Sequence, residues 1–100
     1  MVGRDDLLFV DVRHEADLLD DFGHIHGVRS VPEARLLREG IDGVHKGTPV
    51  VVVCQNGRQS QGCAAALVRD HDFTEVYHLV GGMLRWNAEE RPVARVRTWT

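Results

Sequence analysis

The sequence predicts an α/β fold: a small, mainly parallel sheet of about four to five strands with helices on both faces. Short apolar segments rich in β-branched residues alternate with stretches in which apolar residues recur at helical spacing. Strands that alternate with short helices are typical of a parallel sheet. One apolar run, Val50 to Val53, is continuous, as expected for a central strand covered on both faces. One hundred residues make one domain, which we assign to residues 1–100.

The strands are predicted where apolar, β-branched residues cluster between turn residues. In chain order they are 7–12, 28–31, 49–53 and 75–79, followed by an edge strand at 93–99, where apolar and polar residues alternate. The helices are predicted where apolar residues recur three and four positions apart. They are 14–22, a helical turn at 33–38, 60–71 and 83–90, the first ended by Gly23 and the last by Pro92.

Composition limits the classes of function. The net charge of −3 gives no reason to expect nucleic acid or an anionic membrane as a partner. No apolar run approaches the roughly 20 residues of a membrane span, and residues 1–6 lack the apolar core of a signal peptide. With two cysteines and no export signal, we predict a cytoplasmic protein whose thiols stay reduced.

Cys54 is the candidate nucleophile. It follows the apolar run, and the polar segment 55–60 leads from it into an Ala-rich helix. The thiol is therefore expected on a tight loop at the carboxyl end of a buried strand, where open α/β sheets place their chemistry. Loop amides and the helix N-terminus favour negative charge, so we predict a thiolate. Gly57 allows the positive φ that the loop requires, and Ser60 is predicted as the N-cap of the helix.

Other chemically active side chains are predicted to be structural. Cys63 shares a helical face with Leu67, which indicates core packing, and its spacing from Cys54 fits neither a redox motif nor a zinc knuckle. His24 and His26 alternate, but no third ligand stands at a useful spacing, so no metal site is predicted.

Four motifs, in this order, resemble those of the rhodanese-like (sulfurtransferase) family. They are Asp11-Val12-Arg13, Gly23 to Val28, Cys54 to Ser60, and Gly81 to Trp86 followed by Arg91-Pro92-Val93. The resemblance implies a single rhodanese-like domain that moves sulfane sulfur from thiosulfate or a persulfide donor to a thiol or cyanide acceptor. The resemblance also implies that the transfer proceeds through a Cys54 persulfide and without a cofactor. The implied substrate-binding residues are Gln55, Asn56, Gly57, Arg58, Gln59 and Ser60, and Asp11 and Arg13 are expected to order the strand end near this loop.

The chain departs from the family pattern in two places. Family members commonly carry an arginine five positions after the cysteine, where this chain has Gln59, with Arg58 one residue earlier. Arg58 therefore either attracts substrate or is an exposed loop charge. Family members also usually have a short strand and helix before the Asp-x-Arg strand, and this chain starts almost at that strand.

Two other functions are weighed against sulfur transfer. Dual-specificity phosphatases share this general fold but carry an arginine six residues after the cysteine; here that residue is Ser60, which argues against phosphate chemistry. The alternative is a non-catalytic or sulfur-relay binding module that works with a partner protein.

Overall fold

The computed structural model describes residues 7–99, at the centre of which lies a four-stranded sheet. All neighbouring strands are parallel, in the order β2-β1-β3-β4. The strands are β1 (Leu8–Asp11), β2 (Arg29–Ser30), β3 (Val50–Val53) and β4 (Val76–His78). The predicted α/β class with a mainly parallel sheet is confirmed.

Within residues 7–99, one 3₁₀ helix and two α-helices connect the strands, and a third α-helix follows β4. They are α1 (Glu33–Glu39), α2 (Arg58–His71) and α3 (Gly82–Ala88), with the 3₁₀ helix at Glu15–Leu19. The α-helix expected at 14–22 is thus reduced to this 3₁₀ helix, in which the amide of Asp17 donates to the carbonyl of His14 at 2.9 Å. These tighter turns bury Leu18 and still return the chain to buried His24 six residues later.

Hydrophobic cores lie on both faces of the sheet. Successive side chains of a strand point to opposite faces. Val10 and Val52 pack against Leu36 of α1 and Leu67 of α2 on one face. The other face carries a second cluster with these members: Phe9, Leu18, Ile25, Val28 and Trp99. The Phe9 ring also meets Trp86 of α3 edge-on, with centroids 6.5 Å apart. Helices therefore cover both faces, as predicted.

Residues 93–99 do not form the predicted edge strand. Ala94 instead makes an isolated antiparallel bridge to His24, through backbone hydrogen bonds of 2.8 and 2.9 Å. Trp99 anchors the segment by packing edge-on against the His24 ring, with centroids 4.9 Å apart. The alternation of apolar and polar residues in 93–99 therefore reflects contacts with His24 and not pairing with a strand of the sheet.

The strand order creates a crevice at the carboxyl ends of β1 and β3. From β1 the sheet continues to β2 on one side, and from β3 to β4 on the other. Such a switch point is where open α/β sheets bind ligands. Asp11 ends β1 and Cys54 directly follows β3, so both lie at this crevice. Within residues 7–99, no helix has the length and apolar character needed to cross a bilayer.

Candidate active site

The sulfur of Cys54 is held by backbone amides. Cys54 has no exposed surface. Its Sγ accepts hydrogen bonds from the amide of Gly57 at 3.0 Å and from the amide of Ser60 at 3.3 Å. The thiol in turn donates to Ser60 Oγ at 3.4 Å. Two amide donors therefore converge on this one sulfur atom.

The same sulfur caps helix α2. Gly57 is the N-cap residue, with φ of 93°, a left-handed conformation that glycine adopts without strain. Gly57 has no side chain to satisfy the first-turn amides, so Sγ takes that place for Ser60, while Asn56 Oδ1 accepts from the amide of Arg58 at 3.0 Å. The prediction of Ser60 as N-cap was therefore wrong. The helix begins two residues earlier, and Ser60 Oγ donates back to the Gly57 carbonyl at 3.1 Å.

Helix α3 anchors the start of the Cys54 loop through the loop's backbone carbonyls. The amides of Met83 and Leu84, in the first turn of α3, donate to the carbonyls of Cys54 and Gln55, both at 2.9 Å. The contact requires a glycine at position 82, because a Cβ there would lie 2.3 Å from the Cys54 carbonyl oxygen. The start of α3 thus fixes the first two peptide planes of the loop.

Arg13 ties the end of β1 to the same loop. Its Nε and Nη2 bind the two carboxylate oxygens of Asp11 at 3.0 and 2.8 Å. Nη2 also donates to the carbonyl of Gly23 at 2.8 Å, and Nη1 donates to Gln55 Oε1 at 3.2 Å. Both side chains of the ion pair are almost completely buried. Asp11 and Arg13 therefore lie where they order the strand end beside the loop.

The remaining loop side chains differ in exposure. Gln55 is half-buried, whereas Asn56, Arg58 and Gln59 are exposed. Gln59 Nε2 donates to Glu33 Oε1 of α1 at 3.2 Å. The Arg58 guanidinium makes no hydrogen bond or ion pair with another residue of the described part, 7–99, which fits an exposed loop charge.

A cavity of about 380 Å³ lies beside the Cys54 loop. Gln55 lines it from the loop and Gln59 from the first turn of α2. Arg13 and Asp17 line it from the β1 side and Glu33 from α1, whereas Arg58 does not line it. Because Cys54 has no exposed surface, a molecule in this cavity reaches Sγ only when loop side chains move.

Comparison with known proteins supplies the family. The sequence model of one protein family, described as the rhodanese-like domain, matches residues 1–89. The chain belongs to the rhodanese-like domain family. Thiosulfate sulfurtransferase GlpE of Coxiella burnetii is 34% identical over 88 residues, which cover 88% of this chain and 78% of that protein. GlpE of Pseudoalteromonas translucida is 28% identical over 88 residues, covering 88% and 80%.

Other relatives extend the comparison. The uncharacterized protein YqhL of Bacillus subtilis is 34% identical over 80 residues, and the chain spans 60% of its length. Among solved structures, a rhodanese-related protein from Thermoplasma volcanium superposes with a TM-score of 0.78 at 24% identity, covering 91% of this chain and 86% of that one. A rhodanese-like domain from Anabaena gives 0.81 at 24% identity, covering 94% and 69%. These superpositions establish the rhodanese-like fold.

Sequence reasoning gave no role to three parts of this rhodanese-like site. Gly82 was noted only as part of a motif, although a glycine pair directly before a helix signals a close backbone approach. Glu33 reaches the site through its contact with Gln59, 26 residues away. His78 ends β4, and its Nδ1 lies 3.5 Å from Ser60 Oγ. For His78, the signal was its place at the carboxyl end of a strand beside β3.

Cys63 lies in the apolar core, as predicted. It sits in the middle of α2 and has no exposed surface. Burial raises the pKa of its thiol to about 11, and the negative charges of Glu33 and Cys54 contribute to the same shift. Cys63 is therefore a neutral thiol at physiological pH and a poor nucleophile.

Proposed function

We propose that this rhodanese-like domain is a sulfurtransferase that moves sulfane sulfur from thiosulfate or a persulfide donor to a thiophilic acceptor through a persulfide on Cys54. The observation that carries the proposal is the pair of amide hydrogen bonds to Sγ, from Gly57 and Ser60. Two relatives named thiosulfate sulfurtransferase, aligned over 88% of the chain, support it.

The first step loads the cysteine. The Cys54 thiolate attacks the outer sulfur of thiosulfate, a new S–S bond forms to Sγ, and the old S–S bond breaks with its electron pair leaving on sulfite. Charge balances, since a thiolate and a thiosulfate dianion give a persulfide anion and a sulfite dianion. Storing the sulfur on the enzyme divides one difficult transfer into two easier steps.

The second step transfers the sulfur from Cys54 to the acceptor. A thiolate or cyanide attacks the outer sulfur of the persulfide, and Sγ leaves as a thiolate. The amides of Gly57 and Ser60 lie within hydrogen-bond distance of Sγ, so they stabilise the charge that returns to it. The sulfur moves without an external oxidant or reductant, and the steps need no cofactor.

We place this chemistry in the cytoplasm. Cys54 and Cys63 are both free thiols, and the mechanism requires Cys54 to be reduced at the start of each cycle. A compartment that keeps thiols reduced meets that requirement. The partners are then a small anionic sulfur donor and a thiol or cyanide acceptor, or a sulfur-relay protein.

The test is thiocyanate formation from thiosulfate and cyanide by wild type, Cys54→Ser and Cys63→Ser. We expect Cys54→Ser to lose at least about 10³-fold in kcat while keeping its circular dichroism spectrum. Cys63→Ser, the matched control, should keep most of its activity. Activity in Cys54→Ser, or its loss only in Cys63→Ser, would overturn the proposal. Persulfide formation without turnover would favour the sulfur-relay module instead.

A further inference from the structure

The cavity beside the Cys54 loop is lined by acidic side chains. Asp17, Asp20 and Glu33 contribute three carboxylates to its wall. Asp20 is exposed, and its carboxylate lies 4.0 Å from the Arg13 guanidinium. Asp17 and Glu33 are half-buried, so their carboxylates are available to a molecule that enters. His14 also lines the cavity and is exposed.

The cationic side chain of this wall is already neutralised. Arg13 lines the cavity, but its guanidinium is 2% exposed and is bound at 2.8 Å by the buried carboxylate of Asp11. Arg58, the first residue of α2, lies outside the lining. The charge that a substrate meets in the cavity is therefore negative.

The side chain of Glu33 is held in place by a neutral partner. Gln59, a neutral amide, donates to its carboxylate at 3.2 Å. The field of this carboxylate also extends into the protein, since Glu33 contributes to the raised pKa of Cys63. Gln59 thus positions a negative charge next to the loop that carries the nucleophile.

We propose that this cavity selects small thiols or persulfides that carry a positively charged group, the aminothiol class, over anionic thiols and thiosulfate. The inference rests on the proposed function and specifies its substrate. A volume of about 380 Å³ suits a small molecule. Carboxylates within several ångströms of the bound group should favour a monocation over a monoanion by about tenfold at low ionic strength.

The transfer balances for such an acceptor. Its thiolate attacks the outer sulfur of the Cys54 persulfide, the acceptor gains that sulfur as a persulfide, and Cys54 Sγ leaves as a thiolate. The thiol proton of the acceptor passes to solvent before attack. The ammonium group takes no part in the bond changes and serves only for recognition.

The experiment measures kcat/KM for sulfur transfer from the loaded wild-type protein to cysteamine and to 3-mercaptopropionate, each expressed per concentration of thiolate. The ratio of the two values, cysteamine over 3-mercaptopropionate, gives the preference for the cationic acceptor. This ratio is also measured for Glu33→Gln and Asp17→Asn, with Glu39→Gln as matched control. Glu39 is an exposed carboxylate at the other end of α1 and outside the cavity. We expect a wild-type ratio of about 10, an approximately threefold fall in each cavity variant, and no change in Glu39→Gln.

Two further results sharpen the test. The preference should shrink in high salt, and Gln59→Arg, which adds a cation beside Glu33, should shift it towards 3-mercaptopropionate and thiosulfate. Turnover with a ratio near one, or a ratio unchanged in both cavity variants, would overturn this inference and leave the sulfurtransferase intact. Failure of every acceptor would overturn the proposed function and the inference with it.

Discussion

Cys54 and Cys63 are both fully buried free thiols of one apolar cluster, yet they occupy different positions on the backbone. Cys54 lies on a loop where amides of Gly57 and Ser60 point at its sulfur. Cys63 lies in the middle of α2 among apolar side chains, and burial raises its pKa to about 11. Burial alone therefore does not decide whether a thiol is reactive. We expect the direction of the nearby backbone dipoles to decide it, and the amides of Gly57 and Ser60 point at the sulfur of Cys54.

The largest expected effect on the surroundings of Cys54 comes from substitution of Arg13. Arg13→Ala leaves the buried Asp11 carboxylate without its partner and frees Gln55, so we expect a loss of about 3–5 kcal/mol in the free energy of unfolding. Urea denaturation measures it. Arg38→Ala, which removes an exposed ion pair with Glu39, should cost less than about 1 kcal/mol. If the two variants are equally stable, the buried pair does not order the site.

Gly82 should matter next, because α3 anchors the Cys54 loop through it. Gly82 has φ of 56°, and a Cβ there would clash with the Cys54 carbonyl. We expect Gly82→Ala to cost about 2–4 kcal/mol and to slow alkylation of Cys54 by iodoacetamide.

Gly27→Ala is the control for Gly82→Ala. Gly27 also has positive φ, of 79°, but no atom lies within 4 Å of a Cβ built there. The cost should be about 1–2 kcal/mol, with Cys54 alkylation unchanged. Equal costs for both variants would mean that the close approach of α3 to the loop contributes nothing.

The raised pKa of Cys63 makes stability depend on pH in the alkaline range. The thiol ionises near pH 9 in the unfolded chain and near 11 in the folded one, so between these values only the folded state retains the proton. Stability should therefore fall as pH rises through this window, by up to about 2–3 kcal/mol from this group. Urea denaturation from pH 8 to 11 should give a shallower fall for Cys63→Ala than for wild type. Parallel curves would contradict the assignment.

Arg58 should have the smallest effect. Its exposed charge lies in the first turn of α2, next to the Cys54 loop, where it can attract a dianion without contributing to packing. Arg58→Ala should raise the KM for thiosulfate by about two- to threefold at low salt, with less effect on an uncharged persulfide donor. The free energy of unfolding should change by less than about 0.5 kcal/mol. A large fall in melting temperature with unchanged kinetics would make Arg58 structural.

Local patterns in the sequence were enough to predict the strand, loop and helix that surround Cys54. A continuous valine run, a glycine in the following loop and an Ala-rich helix each report on their own neighbourhood, and together they placed Cys54 at the end of β3. The same holds for Cys63, whose helical spacing from Leu67 predicted its place in the core.

The remaining features depend on contacts between distant segments. Local reasoning made Ser60 the N-cap, whereas the sulfur of Cys54 performs that role from six residues earlier. The hydrogen bonds from Met83 and Leu84 to the Cys54 loop join segments about thirty residues apart in the sequence. The contact of Glu33 with Gln59 joins residues 26 positions apart. The alternation in 93–99 could not reveal that Trp99 packs beside His24 instead of joining the sheet.

The most direct test of the difference between the two cysteines is where a transferred sulfur atom is found. Wild-type protein, with both thiols present, is incubated with thiosulfate or a small persulfide, alkylated, digested and analysed by mass spectrometry. The amide hydrogen bonds to Cys54 and the raised pKa of Cys63 predict the mass of one added sulfur on the peptide containing Cys54 and none on the peptide containing Cys63. Sulfur on Cys63, or on neither cysteine under conditions that support turnover, would contradict the account.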